Sequence, residues 1–244
     1  MKMARRFLMA VLALGTPFAT LVRAASTKSV LAAAIVFLVM ALVSHVLTSY
    51  TYPGHIPDDW KGKVPAAFVD LTQERKRGGG WRYCRKSGKF KPDRCHNSWE
   101  MQSQILMLDH FSPWHGTAIG FHNTKALNLA FFYTWALSVL AVAATTTPRT
   151  TDRVLRGICC LPLLALTYFV GLRLRLLLTN RTTIELFERP KGTNRNSYDI
   201  GVLANVQAVM GWNPLVWLLP VRLSVVGDGL SFPRNDDAKN AKRA

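Results

Sequence analysis

Four apolar runs divide this chain, and no other feature constrains its fold so tightly. They are Phe7 to Leu21, Val30 to Leu47, Leu127 to Ala144, and Ile158 to Leu172 with an extension through Leu178. A bilayer core of roughly 30 Å is crossed by about 20 helical residues. The middle two runs meet that length with modest flanks, while the first, which carries Pro17, and the last need tilt or snorkelling Arg side chains at their ends. Arg173 and Arg175, alternating with Leu, suit that role. A chain that is 49% hydrophobic, with its apolar residues clustered this way, is a membrane protein and not an ordinary soluble domain.

Charge sets the topology. The net charge is +17. Of 31 Lys and Arg, 26 lie in the N-terminus, the loop from Thr51 to Lys125 and the tail after Leu172, and only five lie in the two short connections. Four spans with both termini and the long loop on the positive-inside face are expected, the alternative being three spans with the short, Pro17-bearing run Phe7 to Leu21 lying in the interface. The basic excess therefore reports topology and contact with anionic headgroups or an acidic partner, and no recognition module accompanies it that would make it a nucleic-acid surface. The expected divisions are 1–50 for spans 1 and 2, 51–126 for a loop domain, 127–179 for spans 3 and 4, and 180–244 for a C-terminal segment.

The first 57 residues contain no acid and carry several Arg, a composition that suits mitochondrial targeting, while a basic start, an apolar stretch and Ala24-Ala25-Ser26 have the pattern of a secretory signal. Four Cys, two of them adjacent inside the fourth run, imply no disulfide framework.

The loop segment WRYCRKSGKFKPDRCHNSWEMQSQILMLDHFSPWHGTAIGFHN, Trp81 to Asn123, has neither helical nor alternating periodicity, so a hydrophobic face alone does not explain its order. Its Lys91, Pro92, Arg94 and His96, then Asp109, His110, Pro113 and Trp114, then Gly120 and Asn123 stand in a pattern that resembles the cysteine-rich domain of the DHHC protein S-acyltransferases, or palmitoyltransferases. The tail strengthens the resemblance. Thr182-Thr183-Ile184-Glu185 fits that family's TTxE motif directly after the fourth run, and Tyr198, Asp199, Gly201, Asn205, Gly211 and Asn213-Pro214 are similar to its C-terminal segment.

The resemblance implies a mainly α, four-span polytopic membrane protein with the DHHC-type loop between spans 2 and 3. It implies two zinc ions, each held by three Cys and one His, and a motif Cys that takes an acyl group from a long-chain acyl-CoA and passes it to a substrate Cys. It implies that Thr183 holds Asp109, that Asn205 caps backbone near the membrane surface, and that a cavity between the spans holds an acyl chain. At the chemical positions this chain departs from the pattern. Only Cys84 of the six ligand Cys remains; the others are Ser87, Ser98, Met101, Gln104 and Ala118. Asn97 and Phe111 replace the ligand His residues, and Ser112 replaces the nucleophile.

The expectation from these losses is a degenerate loop domain without zinc, its order supplied by a neighbouring protein and by local packing of Trp81, Trp99 and Trp114. The chain is then not an enzyme but an inactive relative serving as an accessory subunit of a membrane assembly, with lipid as the one small ligand it leaves room for. Lys86, Lys89, Lys91 and Arg94 would offer a basic surface to a partner or to anionic lipid. The competing expectation is a divergent acyltransferase in which Asp109 and His110 polarise Ser112. Family inheritance favours an endomembrane address, and N-terminal composition favours the mitochondrial inner membrane.

Overall fold

The computed structural model describes residues 14–15, 17–22, 28–57, 60, 82–86, 88–144, 150–188, 198–221 and 226–235. Trp81, Ser87 and the Gly78–Gly80 joint lie outside them, as does part of the first run.

Three helices in this set are long and apolar enough to cross a membrane: α1 (Lys28–Tyr50), α2 (Thr124–Ala144) and the Cys160–Leu178 part of α3 (Thr150–Leu178). α1 packs on α2, and α2 on α3. The α1 side of the first interface is a stripe of small residues, Ala34, Ala41, Ser44 and Thr48, which lets two backbones approach closely. Ser44 and Thr48 bond back to the carbonyls of Met40 and Ser44, so their hydroxyls are satisfied inside the apolar segment. α2 answers with Leu129, Ala130, Tyr133, Thr134, Leu137, Ser138 and Ala141, one face at helical spacing. Leu14 and Leu21 of the first run are buried in the same core, beside Ala34, Ala41 and Leu137. α3 presents Leu161, Leu164 and Tyr168 outward, as a helix solvated by lipid would.

Between α1 and α2 the loop forms three two-stranded antiparallel hairpins: β1 (Tyr83–Cys84) with β2 (Lys89–Phe90), β3 (His96–Ser98) with β4 (Ser103–Ile105), and β5 (His110–Ser112) with β6 (Thr117–Ile119). Strands this short carry little stability alone. The last of them is pinned to α1 by Asn123, whose Oδ1 accepts from the Gly120 N–H at 2.8 Å and whose Nδ2 donates to the carbonyls of Ala118 at 2.9 Å and Thr48 at 3.3 Å. Gly120 has no room for a side chain: a Cβ there would lie 2.6 Å from both Ile105 Cγ2 and the Pro53 carbonyl.

The tail folds back over this loop. α4 (Thr183–Phe187) opens with a capping box, in which Thr182 Oγ1 accepts from the Glu185 N–H and a Glu185 carboxylate oxygen accepts from the Thr182 N–H. α5 (Val202–Met210) buries Asn205 and Met210, with Val206 and Val209 packed on the spans and Val202 and Leu203 exposed.

Candidate functional site

The site lies where β5, its turn, α1, α3 and α4 meet. Asp109 is its charged centre. One carboxylate oxygen, Oδ2, accepts from Arg173 at 2.7 Å, His110 Nδ1 at 2.6 Å and the Thr183 hydroxyl at 3.1 Å, and Oδ1 accepts from the Thr183 N–H at 2.7 Å. Burial pushes this carboxyl up. The Arg173 charge, His110 and the Thr183 N–H outweigh burial and hold it well below the usual carboxylate range. Arg173 does not snorkel as its place at the end of a span predicts. It turns inward, donating also to Asn128 at 2.8 Å, because an ionised Asp109 waits there.

Ser112 ends β5 and is 4% exposed. The chain then turns through Pro113, Trp114 and His115 to Gly116, whose N–H donates to the Ser112 carbonyl at 2.7 Å and whose φ of 61° suits glycine. The turn returns His115 over Ser112, with Nδ1 at 2.9 Å from Oγ. Beyond it, His115 Nε2 lies 3.0 Å from His45 Nδ1 on α1, and His45 Nε2 lies 3.1 Å from Thr134 Oγ1 on α2. Among the described residues His110 forms no hydrogen bond with Ser112. The sequence reading missed His115 and His45. The first was legible as a His three residues after a Ser-Pro turn, whereas His45 lies 70 residues away from it.

Arg94 was expected on a basic surface and is instead 2% exposed. Its guanidinium holds both Glu185 oxygens, at 2.7 and 3.0 Å, and the side chain and carbonyl of Asn180, under the rings of Tyr198 and Phe232. Its backbone has φ 58°, an uncommon conformation for a side-chain-bearing residue. Lys91 and Pro92 form the approach to it, where the Lys91 N–H donates to the Arg82 carbonyl and Pro92 accepts from the Arg82 guanidinium. His96 Nε2 lies 3.5 Å from the same guanidinium. Asn205 closes the end of α3, with Nδ2 donating to the Leu178 carbonyl and the Asp199 carboxylate, both at 2.7 Å, while Oδ1 accepts from the Ile200 N–H. Trp99 and Trp114 are 71% and 61% exposed, so packing of those two rings does not order the loop. Lys86 stands over the Trp99 ring.

The positions that resemble zinc ligands now hold other chemistry. Met101, Phe111 and Ala118 come together in one apolar cluster with Ile105, Leu108 and Ile184. Gln104 Oε1 accepts weakly from Cys95 Sγ at 3.9 Å, and burial pushes that thiol up to about 12, away from the thiolate a metal needs. Among the described residues, no three His, Cys, Asp or Glu side chains are grouped as a metal would require. This donor set does not fit a tetrahedral structural zinc.

A buried Asp109 carboxylate paired with a partly exposed His110, on a loop domain between membrane helices and clamped by a TTxE tail, is the centre of this site. Residues 78–190 match the DHHC palmitoyltransferase family model. Among curated relatives, the chain is 28% identical over 236 residues to Palmitoyltransferase PFA3 of Candida albicans, covering 81% of this chain and 63% of that protein. It is 32% identical over 189 residues to Palmitoyltransferase ZDHHC15 of Rattus norvegicus, covering 68% and 56%. Against Probable protein S-acyltransferase 12 of Arabidopsis thaliana it is 29% identical over 240 residues, covering 86% and 82%. The chain belongs to the DHHC palmitoyltransferase family, and it spans less than two thirds of the length of the first two relatives. The expectation that it is not an enzyme is overturned, because these relatives bear the names of enzymes. That expectation rested on the loss of the motif Cys and did not weigh His115, whose Nδ1 lies 2.9 Å from Ser112 Oγ. The three spanning helices and the family together make this an integral membrane protein, and the matches give no support to a mitochondrial address.

Proposed function

We propose that this chain is an acyl-CoA-dependent acyltransferase of an endomembrane, carrying the acyl group on Ser112. The observation that supports it is the 2.9 Å contact between Ser112 Oγ and His115 Nδ1, which supplies a hydroxyl nucleophile with the adjacent base it requires. In the loading step Oγ attacks the thioester carbonyl, its proton passes to His115 Nδ1, the C–S bond breaks, and the proton leaves with the CoA thiol. The product is an oxygen ester at Ser112. In the second step an acceptor side chain on a membrane protein attacks that ester, its proton returns through His115, and Ser112 is restored. Exchange of one oxygen ester for another is close to balanced, whereas passage to a thiol runs uphill, so the acceptor that this site suits is a hydroxyl. Asp109, with Arg173 and Thr183, fixes the frame on which β5 and the turn stand.

Five further features complete the reading. Phe7 to Leu21 is a fourth span, first in order, supported by the burial of Leu14 and Leu21 among the other spans. Both termini lie on the loop's side, which thiol labelling of each end checks. The protein carries no structural zinc, its place taken by the Met101, Phe111 and Ala118 cluster. Lys86, Lys89 and Lys91 face anionic headgroups or another subunit of a membrane assembly, and the family's acyl-chain cavity holds the acyl group.

Incubation of the purified protein with labelled long-chain acyl-CoA tests the central step. The expected label survives neutral hydroxylamine, disappears in Ser112→Ala and becomes hydroxylamine-labile in Ser112→Cys. Label that persists in Ser112→Ala, or its absence from the wild-type protein, rejects the proposal.

A further inference from the structure

The directions of the contacts that link Ser112 through His115 and His45 to Thr134 are fixed from the far end. Thr134 Oγ1 donates its single proton to the Ala130 carbonyl at 2.7 Å. Having one proton and having used it, that hydroxyl can only accept from His45 Nε2 at 3.1 Å. A neutral His45 with its proton on Nε2 has a bare Nδ1, which is therefore the acceptor of the 3.0 Å contact from His115 Nε2. His115 in turn is protonated at Nε2 and bare at Nδ1, the atom that faces Ser112 Oγ at 2.9 Å. The two rings lie within 16° of parallel with centroids 5.2 Å apart, which suits imidazoles meeting nitrogen to nitrogen near one plane.

The geometry points to His45 and Thr134 as positioning residues that hold His115 in the one neutral tautomer able to take the Ser112 proton. A backbone carbonyl of α2 thereby sets the protonation of a loop base through a side chain of α1. The Asp109-His110 pair takes no part in this relay: His110 is committed to Asp109 through Nδ1 at 2.6 Å. The wrong tautomer would turn Nδ1–H toward Ser112 and make it a donor, leaving the hydroxyl without a base. This inference rests on Ser112 being the nucleophile, as proposed above, but its structural core stands apart from that reading.

The test therefore has two arms on the full chain in nanodiscs. In the first, nitrogen NMR of histidine-labelled protein, assigned with single His variants, reads the tautomers directly: both His45 and His115 are expected to be Nε2–H with bare Nδ1, and His45→Phe should shift His115 to a mixture. A His115 protonated on Nδ1 in the wild type overturns the inference whatever the activity. In the second arm, single-turnover loading from acyl-CoA is followed in variants whose folding is checked by thermal melting. His45→Phe should slow loading by about 10²-fold at saturating acyl-CoA with the half-saturating concentration unchanged. His45→Asn, which returns an acceptor near the Nδ1 position, should recover part of the rate, and Thr134→Ser should retain it where Thr134→Val does not. Wild-type loading that is equally fast in His45→Phe refutes the relay and leaves Ser112 acylation standing. A wild-type protein with the expected tautomers that does not load refutes the acyltransferase reading and leaves the relay standing.

Discussion

Two histidines, His110 and His115, sit five residues from one another and live in different surroundings. His110 faces an ionised carboxylate that Arg173 and Thr183 also claim, in a cluster of charge that ties loop to span and tail. His115 faces another imidazole and the Ser112 hydroxyl. The first arrangement holds position through charge. The second sets a proton through neutral donors and acceptors, which is compatible with the depth of His45 within a spanning helix, where an ion would be expensive. The family motif makes the first legible and says nothing of the second.

The sharpest way to break this contrast is to remove each imidazole in turn. His115→Phe should slow Ser112 acylation by about 10²- to 10⁴-fold, the usual contribution of a general base, while His110→Gln should slow it by a clearly smaller factor. Equal losses in a loading assay would merge the two arrangements into one. Next in size is the charged cluster. Asp109→Ala strands Arg173 in a buried place and should destabilise by about 3–5 kcal/mol, read as a lowered denaturation midpoint. The pH dependence follows the same carboxylate. Its folded pKa lies below its unfolded value of about 3.9, so its stabilisation is fully present above that value and is lost as pH falls below about 4. Asp109→Asn should flatten that limb of the stability profile while leaving the range from pH 5 to 8 unchanged in shape.

The apolar cluster that stands at the former ligand positions gives a third comparison, of packing against metal. Phe111→Ala should cost about 2–3 kcal/mol of stability, since Phe111 is only partly buried beside Leu108 and Ala118. Treatment with a strong chelator should leave the wild-type melting temperature unmoved; a fall of several degrees would return a metal to the loop. The smallest effect is expected at Thr183→Val, which removes one hydroxyl from Asp109 but keeps the backbone N–H, for about 1 kcal/mol by thermal melting.

How far the sequence could be read follows from the range of each interaction. The spans announce themselves because apolar runs are local, and α4 does so because Thr182 and Glu185 are three residues apart in a capping box. A turn of the same short span places His115 against Ser112. Arg94 was assigned to the surface because a charged residue in a Lys-rich stretch ordinarily is solvated, yet Glu185, 91 residues on, draws it inside. Arg173 misled for the same reason, its partner Asp109 lying 64 residues earlier. His45, near the C-terminal end of an apolar helix, has its partners His115 and Thr134 at 70 and 89 residues' distance, so nothing local marks them. The hairpins carry two or three residues per strand, too few for an alternating pattern to show.

Glu185 serves two masters, and this sets an order of assembly. A helix as short as Thr183–Phe187 does not repay its own nucleation in water, so it has no standing as a free segment. Its capping carboxylate is the same group that receives Arg94, and its first residue is the one that grips Asp109. The tail therefore acquires its helix only on a loop that has already folded around Arg94 and Asp109. Amide exchange within those five residues then becomes a gauge of whether the distant loop is assembled, and any event that loosens the loop is written into the tail as melting.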